Sequence, residues 1–215
     1  ERHDYIVVGG VDRGEHWICC GGYYTGVFEQ PWLAIPPTRH LVTMRYVEFF
    51  RIDGEKITRA RLLWDIPAVM MQADAWPMAP SLGVELHVPG PATQDGIVAG
   101  GSDPERSAAS RELVEAMVEG LNRFAEGGAG AMELQRFWHP RMNWYGPAGI
   151  GSVRRLSGFR NWHQIPFLNA IPDRSGGTQG GKYDCFFADG DYVAYCGWPA
   201  LHATVLEFRH PTTHE

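Results

Sequence analysis

The chain has 215 residues, 44% hydrophobic and 20% charged, with a formal net charge of −6. That balance provides a core and excludes disorder over most of the length, while no run approaches the roughly 18 consecutive apolar residues of a membrane helix. Only Lys56 and Lys182 are lysines and the arginines are scattered, so nucleic acid and membrane are excluded as expected partners; no signal-like segment is visible at the N-terminus, and a cytoplasmic location is expected.

Residues 1–76 read as an antiparallel meander. Tyr5–Val8 is a short strand, and Val11-Asp12-Arg13-Gly14 turns it into a long strand from His16 to Val27. Pro31, Pro36 and Pro37 mark a loop, because proline cannot serve a central ladder. Leu41–Ile52 is a second long strand, Asp53-Gly54-Glu55 is a hairpin signal, and Ile57–Trp64 returns. Asp65 to Met71 then reads as a capped helix with proline in its first turn.

Residues 77–104 hold Pro77, Pro80, Pro89, Pro91 and Pro104 with many glycines, which reads as a linker laid over the surface. In residues 105–215, a helix capped by Asp103 carries Leu113, Met117, Leu121 and Phe124 on one apolar face and ends at Gly127. A shorter helix is expected over Ala131–Trp138 and a strand over Met142–Gly146. A third helix, capped by Ser157, is expected over Gly158–Ile171 with a kink at Pro166. Tyr183–Phe187 and Tyr192–Trp198 form a closing hairpin. Gly14–Gly21 can be laid on Gly190–Gly197, an internal repeat that fits two copies of one unit.

Several segments resemble the SnoaL-like polyketide cyclase family of the nuclear-transport-factor-like superfamily. Leu33-Ala34-Ile35-Pro36-Pro37-Thr38, Val42-Thr43-Met44-Arg45, Glu48–Ile57 and Trp64-Asp65-Ile66-Pro67 are similar to its strand half. Phe137-Trp138-His139-Pro140, Trp144-Tyr145-Gly146-Pro147 and Gly158-Phe159-Arg160 are similar to its helix, strand and third-helix segments. The resemblance implies an α+β fold, a cone-shaped curved antiparallel sheet packed on helices as a cystatin-like barrel. Both copies are incomplete and each has what the other lacks. The expectation is therefore one permuted barrel with a spare hairpin, two half-barrels completed in a homodimer, or a fragment, the first two being preferred because an open sheet exposes its edges.

The resemblance also implies a cavity that binds a small, largely apolar molecule, with cofactor-free acid–base chemistry of the cyclase, isomerase or epoxide-hydrolase type. A non-catalytic binding or assembly module of the same fold is the alternative. On the strand Leu41–Ile52, Met44, Tyr46, Glu48 and Phe50 form the more apolar face and are expected to point inward, with Glu48 as the acid or base unless an arginine pairs with it. The family's catalytic aspartate falls on Leu62, which cannot move a proton. Asp65 and His163 are the candidate helpers, although Asp65 can serve merely as a helix cap. Trp64, Trp144, Tyr145, Trp162 and His139 complete the expected walls, or else a thick core. No histidine or cysteine spacing suggests a metal; His210 and His214 are four apart, but Pro211 between them undercuts the match. Cys19, Cys20, Cys185 and Cys196 contain no C-x-x-C pair and read as buried thiols.

Overall fold

In a computed structural model, the structure describes residues 1–97, 103–123, 128, 130–171, 175–176, 183–198 and 201–202. Phe124, Gly127, His210 and His214 lie outside these residues.

The N-terminal meander is present. Strands β1 (Arg2–Asp12), β2 (Glu15–Val27), β3 (Leu41–Asp53) and β4 (Lys56–Trp64) form one antiparallel sheet in that order, and helix α1 (Ile66–Gln72) follows. Turn chemistry sets the register. Arg13 and Gly14 both take positive φ between β1 and β2, the geometry that matches the twist of paired strands. Gly54 alone does so between β3 and β4. The curved sheet does not close into a barrel: β1 and β4 remain as edges.

The remainder of the chain covers one face of this sheet. Helix α2 (Pro104–Asn122) is capped as expected, with the Asp103 carboxylate accepting from the backbone N–H of Glu105 and Arg106. It ends at Asn122, before Gly127, where the Arg123 N–H turns back to the Gly120 carbonyl. Its inner face runs through Val114, Val118 and Leu121, while Leu113 is exposed. The expected helix over Ala131–Trp138 is reduced to one 3-10 turn at Leu134–Arg136. Strands β5 (Asn143–Tyr145) and β6 (Ser152–Arg154) pair as a small ribbon.

The third helical segment begins two residues before Ser157, which lies inside it and does not cap it. Helix α3 (Arg155–Phe159) runs through a π-turn (Arg160–Gln164) into helix α4 (Ile165–Ala170). Pro166, with no N–H to give the preceding turn, is thus accommodated by a wider turn. Strand β7 (Ser175–Gly176) pairs with β10 (Leu201–His202). Strands β8 (Cys185–Asp189) and β9 (Tyr192–Cys196) form the closing hairpin.

Two cores result. Val8, Cys19 and Phe49 are consecutive partners across β1, β2 and β3, and they join Trp17, Cys185, Phe187 and Ala194 in the first core. The β8–β9 hairpin therefore lies on the sheet, and Phe186, on its opposite face, turns to α2 beneath Arg111. Gly10 makes room for this layer: a Cβ there would meet Phe187 Cδ2 at 2.7 Å. Met132, Leu134, Val153, Phe159 and Leu168 form the second core. The proposed repeat is out of register. Its first copy turns on Arg13-Gly14 and its second on Gly190 alone, so Trp17, buried, aligns with Val193, and Ile18 with the buried Ala194. A one-residue slip exchanges the faces of a strand.

Residues 77–97 pack closely across the surface. The Val7 N–H donates to Gly96 O at 2.7 Å, Val84 pairs with Ser152, and the Val88 N–H donates to the Tyr23 hydroxyl at 2.6 Å. Among the described residues, no helix is long and apolar enough to cross a membrane.

Candidate functional site

The expected site does not assemble around Glu48. Glu48 is almost fully buried, but it lies on the sheet face opposite the β8–β9 hairpin. Arg2 Nη1 donates to its Oε2 at 2.8 Å, and Tyr24 Oη and Trp64 Nε1 both donate to its Oε1 at 2.9 Å. Tyr46 donates its hydroxyl to Asp4 at 2.5 Å under the Arg2 guanidinium. Burial works against ionisation of Asp4, but the bonds from Tyr46 and Arg2 hold it below the usual carboxylate range. This is an ion-pair network in which three donors, two on Oε1 and one on Oε2, take three of the roughly four acceptor positions of the Glu48 carboxylate. Phe50 shares that face, and Leu62 is directly opposite Glu48. The correction is one of parity: the apolar content of β3 alone pointed to the wrong face.

A cavity lies on the other face. Arg45 is paired with Tyr23 in the β2–β3 register, and the Asp65 N–H donates to the Arg45 carbonyl at 2.8 Å just past the end of β4. Tyr23, Arg45 and Asp65 thus form one cross-sheet row, in which directly opposed side chains stand about 5 Å apart. With Met71, Glu85, Leu86 and His87 they line a cavity of about 260 Å3. A second cavity of about 500 Å3 adjoins it across Leu86, His87 and Ser152, walled by Val84, Tyr145 and Val153. The first opens between the sheet, α1 and the 85–87 segment, and the second between the 84–89 segment and the β5–β6 ribbon.

Asp65 is at the start of α1, yet its side chain makes no capping bond. It reaches across to accept from the Ala148 N–H, and Arg45 Nη2 approaches it at 3.6 Å. The same Arg45 nitrogen donates to Gly146 O at 2.6 Å, and Nη1 lies 3.5 Å from Tyr145 O. The row therefore ties the meander to the loop after β5. Tyr23 accepts from Val88 through its hydroxyl oxygen, and among the described residues its own proton has no acceptor. Burial pushes that phenol upward in pKa, partly opposed by the Val88 bond, so it stays a neutral donor. His87 stacks on the Tyr23 ring, with centroids 3.7 Å apart, and is exposed at the mouth.

Of the expected site residues, only Asp65 and Tyr145 line these cavities. His163 is instead held within the second core, stacked on Trp144 at 4.1 Å and beside Phe159 and Phe167. Burial lowers it to about 4, and among the described residues Nδ1 has no hydrogen-bond partner. Trp162 is on the surface. His139 is exposed and accepts from the Arg141 N–H at 3.1 Å. Trp64 covers Glu48 on the far face. Arg45 and His87 were missed; the signal for Arg45 was the parity it shares with Phe49, as Tyr23 shares that of Trp17 and Cys19. Among the described residues, no group of three or more histidine, cysteine or acidic side chains is placed to hold a metal. Comparison of the chain with protein-family models, characterised proteins and solved structures returned no match.

Proposed function

We propose that the chain binds a small, largely apolar molecule bearing a carbonyl group in this cleft and acts on it by proton transfer, as a SnoaL-like protein of the cyclase or isomerase type. The observation that carries the reading is the Tyr23–Arg45–Asp65 row. A tyrosine O–H whose oxygen is already occupied and a guanidinium fixed by its neighbours are two donors that can meet one carbonyl oxygen. Such donors stabilise the negative charge that develops on an enolate. His87 stands at the mouth as the proton carrier, and Met71, Leu86, Val84, Tyr145 and Val153 suit an apolar body. The order of elements, a meander ending in a helix and then helix, strand, helix and hairpin, supports the family reading. The proton carrier differs from the family's, since Leu62 occupies the aspartate position.

A non-catalytic binding module is the second reading, favoured by the three hydrogen bonds that hold Glu48 and the Ala148 and Arg45 contacts of Asp65. Calorimetric titration with 1-tetralone and anthrone tests binding. Saturable binding is expected, weakened about tenfold by Arg45→Met, a loss equivalent to one charge-assisted hydrogen bond, and abolished by Ala68→Trp, which fills the cavity. Binding indifferent to Ala68→Trp overturns the proposal. Hydrogen exchange at the ketone α-carbon, followed by NMR in heavy water, should be catalysed by the wild type and lost in His87→Ala. Binding without exchange selects the second reading.

Pairing of two chains belongs to the same proposal. Strand β4 is an edge and leaves Ile57, Leu62, Leu63 and Trp64 exposed, a surface that soluble chains usually cover. Sedimentation equilibrium giving a monomer mass at high concentration would remove this part.

A further inference from the structure

The four cysteines are all reduced, but they occupy different environments. Cys20 is on the outer face of the sheet near Arg2 and Asp4, and burial raises its pKa. Cys19 is buried in the first core, and burial pushes it up to about 12, which leaves it inert as a nucleophile. Cys185 and Cys196 are direct partners in the β8–β9 register. Their sulfurs are 3.5 Å apart. Cys185 is fully buried on the sheet side, whereas Cys196 is half-buried at the strand end, next to Gly197 and the exposed Trp198.

We propose that Cys196 and Cys185 form an oxidant-sensitive thiol pair, with Cys196 as the thiol attacked by hydrogen peroxide and Cys185 as the resolving thiol. The backbone geometry permits it. Directly opposed residues of an antiparallel pair have Cα atoms about 4.5–5.5 Å apart, inside the range a disulfide spans. The sulfurs need to approach by only about 1.5 Å, which side-chain rotation supplies.

Access assigns the roles: Cys196 is the half-buried thiol at the strand end, and Cys185 is the fully buried one. Either sulfur can donate across the contact; with Cys185 as the donor, the bond lowers Cys196 in pKa against its burial and raises Cys185. Arg61, on β4, favours the Cys196 thiolate, while Asp184 opposes it. Arg61 itself is bonded to Asp184 at 2.5 Å, which partly offsets that opposition.

The chemistry balances with peroxide as the oxidant. The Cys196 thiolate attacks one peroxide oxygen, the O–O bond breaks, and hydroxide leaves and is protonated to water, giving a sulfenic acid. The Cys185 sulfur then attacks the Cys196 sulfur, and the hydroxyl departs as a second water with the Cys185 proton. Two thiols lose two electrons, and one hydrogen peroxide is reduced to two waters. The product staples a hairpin sandwiched between the sheet and α2.

The test is peroxide titration of the folded chain, alkylation of the remaining thiols and peptide mass spectrometry without reductant. The expected product is a Cys185–Cys196 cross-link, about 2 Da lighter than the reduced chain and restored by dithiothreitol. Cys185→Ser should leave a sulfenic acid on Cys196 that dimedone traps, and Cys196→Ser should abolish peroxide consumption by the folded protein. Circular dichroism establishes that each variant is folded. A cross-link through Cys19 or Cys20, oxidation of the wild type only in urea, or a dimedone adduct on Cys185 in place of Cys196 would each overturn the proposal.

Discussion

Both carboxylate oxygens of Asp65 accept from the backbone N–H of Ala148, at 2.9 and 3.2 Å, across 83 positions of chain. A residue that looks local, the head of α1, is the anchor between the meander and the loop after β5. Replacing it with alanine leaves the Arg45 guanidinium without its carboxylate and the Ala148 N–H without an acceptor. The expected cost is about 2–3 kcal/mol, measured by urea denaturation. A loss below about 0.5 kcal/mol, typical of a plain surface change, would show that the anchor carries no weight.

Glu48 separates stability from function. Glu48→Ala leaves the Tyr24 hydroxyl and the Trp64 N–H without their acceptor and Arg2 with Asp4 as its carboxylate partner, and should cost about 2–3 kcal/mol. Because the cleft is on the other face, ligand affinity at a temperature where the variant is folded should stay within about twofold of wild type, as for well-separated sites. Loss of α-hydrogen exchange in folded Glu48→Gln would instead return catalysis to Glu48.

His163 makes stability depend on pH. Its folded pKa is about 4, against about 6.5 in an unfolded chain. As pH falls, the unfolded state takes up the proton first. The stabilising contribution is therefore complete above about pH 6.5 and is lost progressively from there down to about 4, by at most about 1.4 kcal/mol per pH unit. His163→Phe should flatten that segment of the profile of urea midpoint against pH. An unchanged slope would place the titration elsewhere.

Gly10 and Phe187 form a fitted pair. Gly10→Ala should cost about 1–3 kcal/mol by overpacking, since its Cβ would meet Phe187 Cδ2 at 2.7 Å and Cβ at 2.9 Å. In the Phe187→Leu background the same change should cost less, so the double-mutant cycle shows coupling of about 0.5 kcal/mol or more. Strict additivity would mean that the hairpin simply moves away from the sheet.

The strands, their order and the Asp103 cap were legible because each rests on neighbouring residues. Arg13-Gly14 and Gly54 supply the positive φ of tight hairpins, period-two alternation supplies the strands, and Pro104 behind Asp103 opens a helix. The inner face of α2 was read less well, with Leu113 exposed, because what an amphipathic stripe packs against comes from elsewhere in the chain. The site was mostly illegible for the same reason. His87 gained its place only when the 84–89 segment crossed the sheet and stacked on Tyr23.

By itself, then, the sequence determined an antiparallel meander with a helix behind it and a helical second half, through turn chemistry and local periodicity. Which face of that meander became the interior was decided by tertiary structure. Both faces of β3 carry apolar residues, so the choice fell to the β8–β9 hairpin, which brings Phe187 onto the space left by Gly10. That contact buries Trp17, Cys19 and Phe49, places Tyr23, Arg45 and Asp65 on the cleft side, and leaves Glu48 to an ion pair on the other.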